Sequence, residues 1–292
     1  MSVASTLDGP ASGRHSRVVS AIRLPGFGLS MGIAMTALGL VVILPLTVLV
    51  FRAFSLDLGD LWGLLTAPRA LAAFRLSLGT ALAAALIDVI LGFAVVWVLV
   101  RYPFPGRRLV DALVDLPFAL PTSVAGITLT TLWSQNGAFG TWAHELGIEV
   151  AFTPLGITAA LVFVGFPFAV RAVQPVLEAL EREPEEAALC LGATRAQVFW
   201  RVVLPPLIPA VLTGFTLAFA RAVGEYGSVV FIAGNMPGKT EIAPLLVVTR
   251  LEQYDYAGAA AIGAALVFLS LLLLIATNLL ERWTRKKSGA LS

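Results

Sequence analysis

The chain has 292 residues, 58% of them hydrophobic and only 13% charged, with a mean hydropathy of +0.88. An ordinary soluble domain carries about 25% charged residues, so the composition excludes that class and points to a polytopic membrane domain. The formal net charge of +2 is too small to imply a nucleic-acid partner, the single cysteine (Cys190) excludes an intramolecular disulfide, and His15 and His144 are too isolated for a metal site.

Residues 1–27 are polar and carry Arg14, Arg17 and Arg23. The apolar run that follows reaches from Gly28 to Phe51, longer than the roughly 7–15-residue core of a cleavable signal, so it is expected to persist as a first helix. Crossing the hydrocarbon core takes about 20 apolar residues, and six stretches qualify, at about 28–51, 76–100, 109–133, 155–175, 206–232 and 258–280. The expected fold is an all-α integral membrane protein with six transmembrane helices in one domain, 28–281. Asp88 falls midway along the second stretch. The third is interrupted by Asp111, Asp115, Pro117 and Pro121, and the fourth by Pro167. Neighbouring helices can satisfy backbone groups freed by such breaks, which either line a path or simply kink packed helices.

Arg221 and Glu225 lie in the fifth stretch at i and i+4, on one expected helix face. Ionisable groups are costly in lipid and face a bundle interior or a water-filled path. Two readings stand. Arg221, with Glu225 and Asp88, forms part of a translocation path or gate, or Arg221 and Glu225 neutralise one another to fix packing. Asp88 is a natural further partner for Arg221. In the sixth stretch the row from Gly258 to Ala265 is almost wholly Gly and Ala, which lets another helix approach closely and is expected to serve subunit packing. A basic tail, 282–292, closes the chain.

Orientation follows from Lys and Arg. With the N-terminus inside, the cytoplasmic segments hold Arg14, Arg17, Arg23, Arg101, Arg107, Arg108, Arg171, Arg182, Arg195, Arg201, Arg282, Arg285, Lys286 and Lys287. The other side holds only Arg52, Arg69, Arg75, Lys239 and Arg250. The positive-inside rule therefore puts both termini, and the segment 176–205, in the cytoplasm.

That segment is polar yet amphipathic. Pro184 suits the first turn of a short helix whose early Glu185 and Glu186 favour the positive end of its dipole. Gly192 and Ala193 should end it, Thr194 can cap a second helix, and the Pro205-Pro206 pair should stop that one. Two short helices around a glycine make a knob able to dock in a cleft, or else an amphipathic loop lying on the membrane surface. The spacing Glu186-Ala187-Ala188, three residues, Gly192, nine residues, Val202, one residue, Leu204-Pro205 resembles the EAA loop of permease subunits from bacterial ABC importers, with Val202 in place of Ile. Three further segments, Asp115 to Thr122, Pro167 to Glu178, and Arg221 to Gly227 continuing through Phe231 to Asn235, resemble the T-subunit permeases of sulfate/thiosulfate importers. Molybdate permeases share parts of the pattern, and Tyr226 stands where many relatives have Phe.

The resemblance implies the transmembrane domain of a type I ABC importer. Glu186, Ala187, Ala188 and Gly192 would dock on an ATP-binding subunit, with Leu204 and Pro205 at the exit. It further implies an inner-membrane permease without a cofactor of its own, assembled with a second, W-type permease, two ATP-binding subunits and a periplasmic sulfate-binding protein. An ion-coupled secondary transporter is the rival class, although no convincing internal repeat accompanies Asp88 and Glu225. A membrane-embedded enzyme would need a nucleophile or metal constellation, and none occurs. The stretch Ala233 to Thr240 matches a relaxed phosphate-loop pattern, but such a cradle needs a preceding strand and a following helix. It is expected to be a coincidence.

Overall fold

The computed structural model describes residues 27–288. Apart from Phe27, the expected polar tail lies outside the described residues, as do the last four residues of the expected basic tail. The chain divides into two compact units, 1–47 and 48–292. Every regular element among the described residues is a helix.

The first unit carries α1 (Phe27–Leu38) and a single π-turn, Gly39–Ile43, after which α2 (Leu44–Ala53) begins. The π-turn sits immediately before Leu44-Pro45, and Leu44 N–H donates to the Gly39 carbonyl, five residues back. Proline brings no donor and crowds the preceding turn, so widening that turn by one residue relieves the clash without ending the helix. Large apolar side chains here, such as Leu29, Leu40 and Val41, are exposed, as a lipid-facing surface requires.

In the second unit, α3 (Leu58–Thr66) is capped by Asp57, whose carboxylate accepts from Gly59 N–H at 3.3 Å. Pro68 opens α4 (Pro68–Arg101), a helix of 34 residues that starts eight residues ahead of the expected second span. Its buried face carries Ala73, Ser77, Thr80, Ala81, Ala84, Ala85, Asp88, Gly92 and Val96, a stripe of mostly small side chains at helical spacing. The expected third span is not one helix. It is divided into α5 (Arg107–Val114), α6 (Leu116–Ala119) and α7 (Thr122–Trp133), because Pro117 and Pro121 deny the ladder two donors within five residues. A short α8 (Gly140–Glu145) leads to α9 (Pro154–Glu178), capped by Thr153 and carrying Pro167 and Pro175 inside.

Two short helices, α10 (Glu183–Cys190) and α11 (Arg195–Val198), precede a second π-turn, Phe199–Val203, and α12 (Leu204–Val223). The expectation that Pro205-Pro206 stops the second short helix is corrected here. Leu204 N–H reaches back to the Phe199 carbonyl, the same device seen before Pro45, and Arg195–Val223 runs on as 29 residues. This helix ends before Glu225, so the expected fifth span, 206–232, is α12, a loop and the four-residue α13 (Val229–Ile232). The amphipathic α14 (Ala243–Glu252) and the long α15 (Tyr256–Ser288) complete the chain. Five helices, Gly28–Ala53, Pro68–Arg101, Pro154–Glu178, Arg195–Val223 and Tyr256–Leu279, are long and apolar enough to cross a membrane.

The centre of the second unit is α4 packed on α9 and α12. A Cβ at Gly92 would lie 3.2 Å from Ala169 Cβ, and one at Gly214 would lie 3.2 Å from the Ala169 backbone, so the axes approach as closely as the missing side chains allow. The first part of the small row of α15 is buried within the chain, while Gly263, Ala264 and Ala265 stay half-buried. Ala259, Ala260, Ala261 and Ile262 are buried, and Ile262 packs with Ala70, Ala73, Ala243 and Leu246.

Gly126 in α7 is similarly tight, because a Cβ there would run into the Ser228 backbone. Gly126→Ala should cost about 1–3 kcal/mol through backbone overlap, read as a lowered midpoint of thermal unfolding in detergent. An unchanged midpoint would show that this contact is loose.

Candidate functional site

The segment 176–205 is built from local signals. In α10, Glu183, Glu185 and Glu186 lie in the first turn with Pro184, where the dipole favours negative charge. The helix ends in two nested hydrogen bonds, from Ala193 N–H to the Ala188 carbonyl and from Gly192 N–H to the Leu189 carbonyl, both 3.0 Å. This is a Schellman turn, and it places Gly192 at φ +88°, a conformation that costs any residue with a Cβ. Thr194 then caps α11 through a capping box: its hydroxyl accepts from Gln197 N–H at 3.3 Å, while its own N–H donates to Gln197 Oε1 at 2.8 Å.

The motif residues divide between two surfaces. Glu186, Ala187 and Gly192 are exposed, together with Cys190 and with Leu191, which is 90% exposed. Ala188 is half-buried and, like Ala193, Leu180 and Val202, packs against the buried cluster that includes Leu99, Leu177 and Val198, while Leu204 and Pro205 are half-buried where the chain enters α12. Leu191 thus stands bare at the tip of a charged loop, flanked by Cys190 and Gly192. The sequence pattern gave Glu185 only a helix-dipole role and pointed to Glu186 for docking, yet Glu185 is the carboxylate that turns back into the chain, pairing with Arg101 at the end of α4.

The expected Arg221–Glu225 pair is formed, but across the end of a helix rather than along one helix face. Arg221, in the last turn of α12, pairs with Glu225 at 2.5 Å, and Glu225 is buried in the loop beyond the helix. The same carboxylate accepts from Ser228 N–H at 2.8 Å and from the Ser228 hydroxyl at 3.0 Å, so it holds the loop 224–228 closed. Asp88 is fully buried beside Gly165 and Ala218, and neither of its oxygens has a hydrogen-bond partner among the described residues. The expected Asp88–Arg221 contact is therefore not made. The nearer carboxylate, four residues along the same chain, takes the guanidinium instead.

Two charge clusters escaped the sequence reading. Arg171 of α9 donates to both oxygens of Asp115, at 2.8 and 2.6 Å, and to Asp111 Oδ1 at 2.7 Å and the Asp111 carbonyl at 2.9 Å. The fork thereby fastens the broken α5–α6 segment to α9. Asp111 and Asp115 at i and i+4, with an arginine inside an apolar run, were the available signal. Arg69 grips the buried Glu241 with two hydrogen bonds of 2.7 Å, and Ser77 Oγ accepts from Ala243 N–H at 2.7 Å, so the loop before α14 is tied to the start of α4. That loop contains the phosphate-loop look-alike. It follows helix α13, and the Thr240 hydroxyl is buried and accepts from Met236 N–H at 3.0 Å, so it is committed to its own turn.

Comparison with known proteins gives a consistent result. Residues 88–286 match the family described as binding-protein-dependent transport system inner membrane component. The sulfate transport system permease protein CysT of Synechocystis sp. is 53% identical over 247 residues, 85% of this chain and 86% of the relative. The protein of the same name from Escherichia coli is 47% identical over 267 residues, covering 91% and 96%. Among solved structures, a bacterial ABC transporter involved in the import of the acidic polysaccharide alginate superposes with a TM-score of 0.73 over 88% of this chain and 96% of its own, at 14% identity. The MetNI methionine ABC transporter in an inward-facing conformation gives 0.57 over 78% and 99%, at 17% identity. At these identities the structural likeness establishes the fold.

Arg221→Gln should leave buried Glu225 without its counter-charge and cost about 3 kcal/mol, the low end for a buried pair because a third of the Arg221 side chain is exposed. Arg221→Gln with Glu225→Gln should recover much of that loss, since glutamine can still accept from Ser228. Thermal unfolding of both variants checks this, and equal destabilisation would rule out a charge effect.

Proposed function

Because the chain belongs to the family of binding-protein-dependent transport system inner membrane components, we propose that it works as the moving half of a transport channel whose energy comes from partner subunits. It is a permease subunit of an ABC importer for sulfate, with the all-helical fold of a type I importer transmembrane domain. The observation that carries the substrate class is the 47–53% identity to sulfate permeases across most of both chains. Thiosulfate is an expected second substrate, since the two dianions share charge and tetrahedral shape.

The assembly is a second, W-type permease, two ATP-binding subunits, which hydrolyse ATP in place of this chain, and a periplasmic sulfate-binding protein. Its site is the bacterial inner membrane, with both termini and the segment 176–205 in the cytoplasm. Coupling runs through α10. Support for docking comes from its rigid turns and from the exposure of Glu186, Ala187, Leu191 and Gly192, while Ala188, Leu204 and Pro205 face inward and join the element to α12. Closure of the ATP-binding subunits then moves the packed α4–α9–α12 core, and alternating access results.

The path or gate role of Asp88, Arg221 and Glu225 takes a specific form. Arg221 is compensated by Glu225, so a passing sulfate meets a dipole rather than a free cation that would trap it. The pair also holds loop 224–228, which makes it a gate support as much as a contact.

Gly192→Asp tests the docking role. At φ +88° any β-carbon is strained by about 1–2 kcal/mol, and the added carboxylate lies on the docking surface. The variant subunit should reach the membrane yet support little sulfate uptake in proteoliposomes of the whole transporter. Normal uptake would refute the docking role.

A further inference from the structure

Arg101 ends α4, and its guanidinium makes one contact within the helix and one that leaves it. It is ion-paired with Glu185 of α10, and it lies over the ring of Trp97 with Cζ 5.4 Å from the ring centroid. The arginine side chain is 11% exposed and that of Glu185 20%, so the pair is largely shielded from water and from salt. Trp97 continues the connection. It stacks with Phe93 at 6.1 Å and meets the edge of Phe199, the first residue of the π-turn, at 5.5 Å. Both ends of the docking element are thus attached to the last turns of α4, α10 by charge and the π-turn by rings.

This attachment matters because of what α4 does at its other contacts. It is the helix packed most extensively on α9, and it also packs on α12. A displacement of α10 by a partner acts on a stiff rod that is already locked into the core, whereas the link through residues 179–182 alone passes through a non-helical connection. Arginine suits the junction because a planar fork can pair with a carboxylate while its face rests on an indole, which an ammonium does less well.

We propose that Arg101 is a positioning residue for energy coupling: through Glu185 and Trp97 it makes α4 follow the docking helix. The proposal rests on the reading that α10 docks on an ATP-binding subunit, and it identifies how the movement enters the membrane core. No substrate contact is involved, so the effect should fall on the coupling ratio and not on assembly.

The test uses the whole transporter in proteoliposomes, with sulfate uptake and ATP hydrolysis measured on the same preparations. Arg101→Gln and Glu185→Gln should retain the ATP-binding subunits and their hydrolysis, while sulfate moved per ATP falls on the order of tenfold. The double variant should be no worse than either single one, and Arg101→Glu with Glu185→Arg should regain part of the ratio. An unchanged ratio in Glu185→Gln overturns the proposal, including the case in which uptake and hydrolysis decline together, as a purely structural role would give. That variant alone decides the matter if Arg101→Gln fails to accumulate. Wild-type subunit that brings no ATP-binding subunit with it would instead defeat the docking reading, and with it this proposal.

Discussion

Lipid removes the usual reason for helices to associate, because a leucine gains nothing by leaving one hydrocarbon surface for another. Cohesion in this chain therefore depends on how closely backbones can approach. At its closest the contact of α4 with α9 and α12 is made by Ala81, Ala84, Ala85, Gly92, Gly165, Ala169, Gly214 and Ala218, with Leu99, Val170, Val173 and Leu207 filling the space beyond, while bulky residues such as Leu86, Ile90, Ile208 and Leu217 point outward. In a soluble protein that outward set would be an aggregation hazard. Here it is the solvent-facing surface, and the small-residue interior is the rigid body on which any transmitted motion acts.

The second constraint is that charge within such a body must be compensated locally. Arg171 engages two aspartates, Arg69 engages Glu241 with both ends of its fork, and Arg221 engages Glu225. Each pair also fixes a segment that hydrogen-bonded helix alone would leave loose: the broken α5–α6 stretch, the loop before α14, and the turn after α12. Asp88 is the exception, a buried carboxyl without a partner among the described residues. It lies where α9 comes so close that a side chain at Gly165 would collide with it.

Much of the docking element was legible because its signals are local. Pro184, the early glutamates, Gly192 and Thr194 each act within one helical turn, and the structure uses each as its chemistry suggests. The continuation through Pro205 was not legible, since a proline pair ordinarily ends a helix. The π-turn that absorbs it is set by distant residues, with the Phe199 ring against Phe93 and Trp97 of α4 and Val203 buried in the core. The division of the third stretch followed from Pro117 and Pro121, but its attachment did not. Arg171 is 56 residues from Asp115, and nothing local links them. For Arg221 the local signal was sufficient: the pairing with Glu225 four residues on was legible, whereas the further contact to the distant Asp88 is not made.

The account stands on α10 facing the cytoplasm and being covered by an ATP-binding subunit. Cys190 is the chain's single cysteine and is exposed in the isolated subunit, so a membrane-impermeant thiol reagent reports on both points. In vesicles of known orientation, labelling should occur only from the cytoplasmic side and should fall when the ATP-binding subunits are bound. Labelling from the periplasmic side, or labelling indifferent to those subunits, would contradict the account.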